Sequence, residues 1–127
     1  MKLRILNNSV RLRLTRSEVA SAAAGDPIEA ACQFGPGEQH TLKYRVMGHP
    51  DADGIEASFE AGVVTVAVPR DRLLRWATSD AIGMRREARG APSPSPSLLI
   101  EKDFACLKPR EGEEDSDTFP NPGAAPG

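Results

Sequence analysis

Apolar and polar residues alternate with a period of two along much of the chain. Leu3 and Ile5 share one parity, while Val10, Leu12 and Leu14 share the other. The parity changes at Asn7-Asn8-Ser9. Such a change needs either a tight turn or a bulge, because one extra residue turns every later side chain to the opposite face. Asn tolerates the left-handed backbone that a two-residue turn uses. A hairpin on Asn7-Asn8 sets Ile5 opposite Val10, Leu3 opposite Leu12, Arg4 opposite Arg11 and Lys2 opposite Arg13. Like charges directly opposite one another repel. That face therefore wants an anion, from within the chain or from outside it.

The next segment changes period. Thr15 with Glu18 three residues on forms a capping-box pattern, flanked by Leu14 and Val19 at the positions of a hydrophobic staple. Ala20 to Ala24 extend a helix, Gly25 can close it in the left-handed conformation, and Pro27 prevents its continuation. These signals predict a helix over 16–24. Alternation then predicts strands over 28–34, 40–47, 55–59, 64–68, 81–87 and 98–104. Between the fourth and fifth of these, Pro69 can take a first helical position, and Leu73, Leu74, Trp76 and Ala77 supply the apolar face of a second short helix. Gly90 to Ser97 (GAPSPSPS) reads as a semi-extended, solvated linker loop over 90–97.

These elements predict an α+β fold: a largely antiparallel sheet or half-barrel with two short helices. Hairpin-length connections favour antiparallel pairing. Sliding the chain on itself by 54 residues lays Val10, Leu12 and Leu14 on Val64, Val66 and Val68. It also lays Val19 on Leu73, Ile28 on Ile82, and Tyr44 and Val46 on Leu98 and Ile100. Both halves then read strand-helix-strand-strand. An internal duplication and chance periodicity are the two explanations of that match.

Length and composition narrow the picture. A chain of 127 residues with 39% hydrophobic content fits one domain, here residues 1–107, followed by an acidic, Pro/Gly-rich tail over 108–127. A net charge of −2 argues against nucleic acid as the partner. No stretch approaches the roughly 20 apolar residues that span a bilayer. The expected location is the cytoplasm. The charges are unevenly placed. Residues 1–20 hold Lys2, Arg4, Arg11, Arg13 and Arg16 against Glu18, whereas Glu111, Glu113, Glu114, Asp115 and Asp117 crowd 111–117 with no base.

Candidate chemistry is thin. The chain has no Gly-rich phosphate loop, HExxH, GxSxG or paired CxxC, so no cofactor is expected. Cys32 and Cys106 fit no metal spacing and read as ordinary thiols, with Cys32 buried on a strand. His49, Asp51 and Asp53 lie in one loop that reads either as a metal site or, more simply, as a solvated turn. Lys2, Arg4, Arg11 and Arg13 can hold phosphates, can form a solvated face, or can receive the acidic tail. The composition of that tail reads as disordered. Phe119, between acids and Pro120, can anchor it through 119–122, or serve as a recognition motif for a partner.

The ends carry a resemblance. "MKLRILNNSVRLRLTRSEV" at the start, with "EKDFACL" and "EDSDTFPNP" near the close, is similar to a family of small uncharacterised bacterial proteins, a domain of unknown function. The resemblance implies a shared fold unit and no mechanism. It directs attention to Asp103, Cys106, Asp115, Asp117, Phe119 and Asn121. The APSPSPS stretch and the GAAPG end look particular to this chain. The repeated plan with basic strand faces is also similar to triphosphate-tunnel enzymes, but the glutamates with which those begin are replaced here by Lys2-Leu3-Arg4-Ile5-Leu6. Two functions follow as expectations. The first is a non-enzymatic interaction module for an unknown protein or small anionic ligand. The second is a phosphate-ligand binder or metal-dependent phosphohydrolase that uses Arg4, Arg11 and Arg13 with tail carboxylates.

The capping box makes one prediction independent of function. Thr15→Ala should lower stability by about 1 kcal/mol in urea unfolding, through loss of the cap.

Overall fold

The computed structural model describes residues 1–104 and 117–120. The sequence begins with the predicted hairpin: β1 (Lys2–Leu6) pairs antiparallel with β2 (Ser9–Leu14). Its register sets Lys2 opposite Arg13, Leu3 opposite Leu12, Arg4 opposite Arg11 and Ile5 opposite Val10. Asn7 adopts φ 50° in the turn, a conformation Asn accepts more readily than most residues. Helix α1 (Arg16–Ala23) follows. The Thr15 hydroxyl accepts from the Glu18 amide, and the Glu18 carboxylate accepts from the Thr15 amide at 2.9 Å. Gly25 closes the helix at φ 95°.

A second hairpin-like pair, β3 (Ile28–Gln33) and β4 (Thr41–His49), is joined through a short 3₁₀ turn at Glu38–His40. The chain then repeats the plan with β5 (Glu56–Glu60), β6 (Val63–Pro69), α2 (Arg70–Ala77), β7 (Gly83–Arg86) and β8 (Ser97–Lys102). Pro69 caps α2 rather than occupying its first turn.

The fold is α+β, with two four-stranded, mostly antiparallel sheets that do not close into a barrel or tunnel. The first sheet runs β1-β2-β8-β7 and the second β3-β4-β6-β5. Each sheet takes one hairpin from each half of the chain. The two hairpins meet along a parallel pair at the sheet centre, β2 with β8 and β4 with β6. Hairpin-length connections favoured antiparallel neighbours, but the central pairs join strands far apart in sequence, so loop length does not govern them.

The 54-residue offset maps β1 onto β5 and α1 onto α2 with identical bounds. It also maps the register: Val10↔Leu98, Arg11↔Leu99 and Leu12↔Ile100 become Val64↔Tyr44, Thr65↔Arg45 and Val66↔Val46. One pair departs. Ile28 faces Val46, but it is Met84, not Ile82, that faces Ile100. Accordingly Met84 is buried while Ile82 is 51% exposed.

The core lies between the sheets and helices. Leu12, Leu14, Leu98 and Ile100 come from the first sheet, and Val46, Val66 and Val68 from the second. Val19 and Leu73 come from the two helices, and Trp76 from α2 donates its indole N–H to the Ile82 carbonyl at 3.1 Å. Helices of eight residues are too short to be stable alone, so this shared packing is what holds them. No helix among the described residues is long and apolar enough to cross a membrane.

One expectation is corrected. Cys32 lies on a strand but is exposed, because β3 is an edge strand and its far end extends past the core, where Phe34 is also exposed. Residues 90–94 of the 90–97 loop are exposed, and its ends are tied to the fold. Arg89 and Ser95 exchange backbone hydrogen bonds at 2.9 and 3.0 Å. Arg86 reaches the Pro96 carbonyl at 2.8 Å and the Ser95 hydroxyl. Burial, reinforced by nearby Arg89, pulls the Arg86 pKa below its ordinary value.

Trp76 is 2% exposed and satisfies its only polar atom within the core. Trp76→Ala should cost roughly 3–5 kcal/mol in urea or guanidinium unfolding, the range for removing a large buried aromatic.

Candidate functional site

Alternation places Lys2, Arg4, Arg11 and Arg13 on the outer face of the first sheet, away from Leu12 and Leu14. The parallel β2–β8 pairing then decides which charges join them. One row across the four strands reads Lys2, Arg13, Glu101, Gly83, and the next reads Arg4, Arg11, Leu99, Arg85. Glu101 is the anion that the hairpin called for. Its side chain is 11% exposed, and one carboxylate oxygen accepts from Arg13 Nε at 2.8 Å and from the Arg11 guanidinium. Gly83 stands beside it. A Cβ there would lie 2.9 Å from the Ile100 carbonyl oxygen and 3.1 Å from the Glu101 Cβ, so the glycine gives Glu101 its space. Asp103, almost fully buried, pairs with Lys2 at 3.2 Å.

Two cations on this face are left over. Arg4 and Arg85 have no hydrogen-bond or ion-pair partner among the described residues. With Arg11, Ser9, Ser97, Leu99 and Glu87 they line a half-open hollow of about 320 Å³. Lys2, Arg4, Arg11 and Arg13 line a second hollow of about 350 Å³. The outer face therefore carries five bases, Lys2, Arg4, Arg11, Arg13 and Arg85, against Glu87, Glu101 and Asp103.

The described part of the tail docks elsewhere. The Asp117 carboxylate accepts from the Ser17 amide at 3.2 Å and from the Ser17 hydroxyl, while its carbonyl accepts from the Arg16 amide at 3.0 Å. It thereby satisfies donors at the N-terminus of α1. The Ser17 hydroxyl above all holds this carboxyl below the usual carboxylate range. Phe119 packs on the core edge. Its ring lies 5.8 Å from that of Phe104, its amide donates to the Asp103 carbonyl at 2.9 Å, and Lys102 and Arg16 stand over its face at 5.5 and 5.8 Å. Lys102 is buried and donates to the Ser79 carbonyl at 2.6 Å.

The structure thus gathers Arg4, Arg11, Arg13 and Asp103 around one sheet face. It separates from them Asp117 and Phe119, which secure the end of β8 and the start of α1. Cys106, Asp115 and Asn121 lie outside the described residues, as do Glu111, Glu113 and Glu114. Asp117, the described tail acid, faces Ser17 rather than the arginines. Sequence reasoning missed Glu101 and Arg85. The signal for Glu101 was present in the alternation of Leu98, Ile100 and Lys102, whose opposite parity holds Leu99, Glu101 and Asp103. No group of three or more metal-ligating side chains occurs among the described residues. In the His49 loop, Nδ1 accepts from the Asp51 amide at 3.1 Å.

With this geometry in place, comparison with known proteins gives one match. Residues 1–123 match the Family of unknown function (DUF7009), and the chain belongs to that family. No curated protein and no solved structure matches the chain.

Removing the buried counter-charge should be costly. Glu101→Gln should lower stability by about 2 kcal/mol, the scale of a hydrogen bond to a charged group. Glu87→Gln on the same face should change it by less than about 0.5 kcal/mol. Paired urea titrations of the two variants check the contrast.

Proposed function

We propose that the protein is a non-enzymatic interaction module that takes an acidic segment of another protein on the outer face of its first sheet. One observation carries this reading: Arg4 and Arg85 flank a hollow in which they outnumber its one acid, Glu87, and make no hydrogen bond or ion pair among the described residues, while Arg11 and Arg13 on the same face share Glu101. Guanidiniums held by a carboxylate are fixed in place. Those without one are free to form forked hydrogen bonds with incoming carboxylates. Charge complementarity of this kind contributes on-rate and specificity.

A reducing, cytoplasmic location fits the exposed free thiol of Cys32. We read the chain as a duplicated strand-helix-strand-strand unit of bacterial origin. Element bounds and central register that coincide at an offset of 54 support the duplication, and the similarity of the two chain ends to bacterial proteins supports the source. The outer faces of the two halves have diverged: Thr65 and Ala67 stand where Arg11 and Arg13 stand in the first half. The basic face is thus no requirement of the fold.

An NMR titration with a short oligoglutamate peptide tests the reading. Shifts should centre on Arg4, Ser9, Ser97, Leu99 and Arg85, and should weaken as salt is added. Arg4→Gln with Arg85→Gln should lower the affinity by about tenfold, a difference of about 1.4 kcal/mol. Binding unaffected by both substitutions, or shifts centred on the second sheet, would overturn the proposal. Phosphate binding at this hollow with no peptide binding would replace the acidic segment by a small anion.

A further inference from the structure

We infer that the partner segment binds as an added strand along the open edge of β1, and that it alternates acidic and apolar residues. This inference rests on the acidic-partner reading above and extends it to the mode of recognition. β1 is the outermost strand of the first sheet, so one side of its backbone has no neighbouring strand among the described residues. Its alternation is regular. Lys2 and Arg4 face outward with the basic rows, whereas Leu3 and Ile5 face the core side. Ile5, at the rim of that side, is 60% exposed.

A strand laid along this edge would extend both rows. Its outward side chains would fall beside Lys2 and Arg4, and its inward ones beside Leu3 and Ile5. The complement to that surface is acid on one parity and apolar on the other. Backbone hydrogen bonds would supply affinity and the alternate side chains specificity, the general logic of strand addition. Basic residues on an edge ordinarily discourage strand pairing. Here they discourage neutral and basic strands and admit acidic ones.

The other half of the chain shows that the edge need not be basic. β5 occupies the equivalent edge of the second sheet and reads Glu56-Ala57-Ser58-Phe59-Glu60. The same position in the same plan thus accepts acids. Lys2 also pairs with the buried Asp103, so it is the charge of Arg4 that is free to serve recognition.

Labelled peptides test this directly, using full-length protein and fluorescence anisotropy. The first peptide alternates Glu with Ile and Phe over seven residues. The second has the same composition with acids and apolar residues in separate blocks. Two further versions of the alternating peptide are N-methylated on one or the other set of alternate backbone nitrogens. The alternating peptide should bind about tenfold more tightly than the blocked one. One methylated set should abolish that advantage and the other should not, because alternate N–H groups of a strand point to opposite sides. Amide exchange should slow within Lys2–Leu6 on binding. Ile5→Ser, at an exposed position, should weaken the alternating peptide and leave oligoglutamate unchanged.

Equal affinity for all the peptides would overturn strand addition while leaving the acidic-partner reading intact. Binding of none, oligoglutamate included, would overturn both. Sedimentation velocity gives the remaining outcome. A concentration-dependent dimer abolished by Glu60→Lys would assign the edge to β5 of a second copy and overturn the foreign segment.

Discussion

The first sheet depends on one carboxylate. A hairpin with Arg4 opposite Arg11 and Lys2 opposite Arg13 gathers four positive charges on a single face. The pairing between β2 and β8 answers this by setting Glu101 beside Arg13 and under Arg11. The burial of Glu101 makes the arrangement stringent, because a buried acid is tolerated only when its charge is matched. The parallel central pair is common to both sheets, but only in the first does it seat a carboxylate, and Gly83 leaves the space for it.

The same constraint divides the arginines by role. Arg11 and Arg13 are structural counter-ions, whereas Arg4 and Arg85 have no such partner among the described residues. The second sheet, built to the same plan, has no such division. Its core positions match those of the first, with Val66 and Val68 for Leu12 and Leu14, but its equivalent of Glu101 is Met47. Packing keeps the two halves alike, and the outer faces are where they differ. Function is therefore sought on the face that differs rather than in the core they share.

Local signals in the sequence were legible and long-range ones were not. Hairpin register followed from parity and Asn7-Asn8, and the capping box from Thr15 and Glu18, because each is decided within a few residues. The 54-residue offset was legible because apolar spacing repeats. The parallel central pairs were not, since β2 and β8 are joined across 88 to 90 residues at Arg13–Glu101 and Arg11–Glu101, and no local rule selects that partner. Cys32 was misplaced for a related reason: alternation gives the side of a strand, not whether anything covers it. Ile82 failed as the counterpart of Ile28 because a two-residue shift of register at β7 put Met84 in the buried place. Of the candidate site, the basic residues were visible in the sequence. Their counter-charge, and hence which of them are left unmatched among the described residues, required the fold.

The central claim, that one carboxylate sorts the arginines of this face into held and available, is most directly tested by the side-chain Nε–H resonances of the folded protein at neutral pH. Arg11 and Arg13 both donate Nε–H to Glu101, so their signals should exchange slowly with water and persist. Those of Arg4 and Arg85 should exchange rapidly. Four arginines exchanging alike, or slow exchange at Arg4 and Arg85 with rapid exchange at Arg11 and Arg13, would contradict the account.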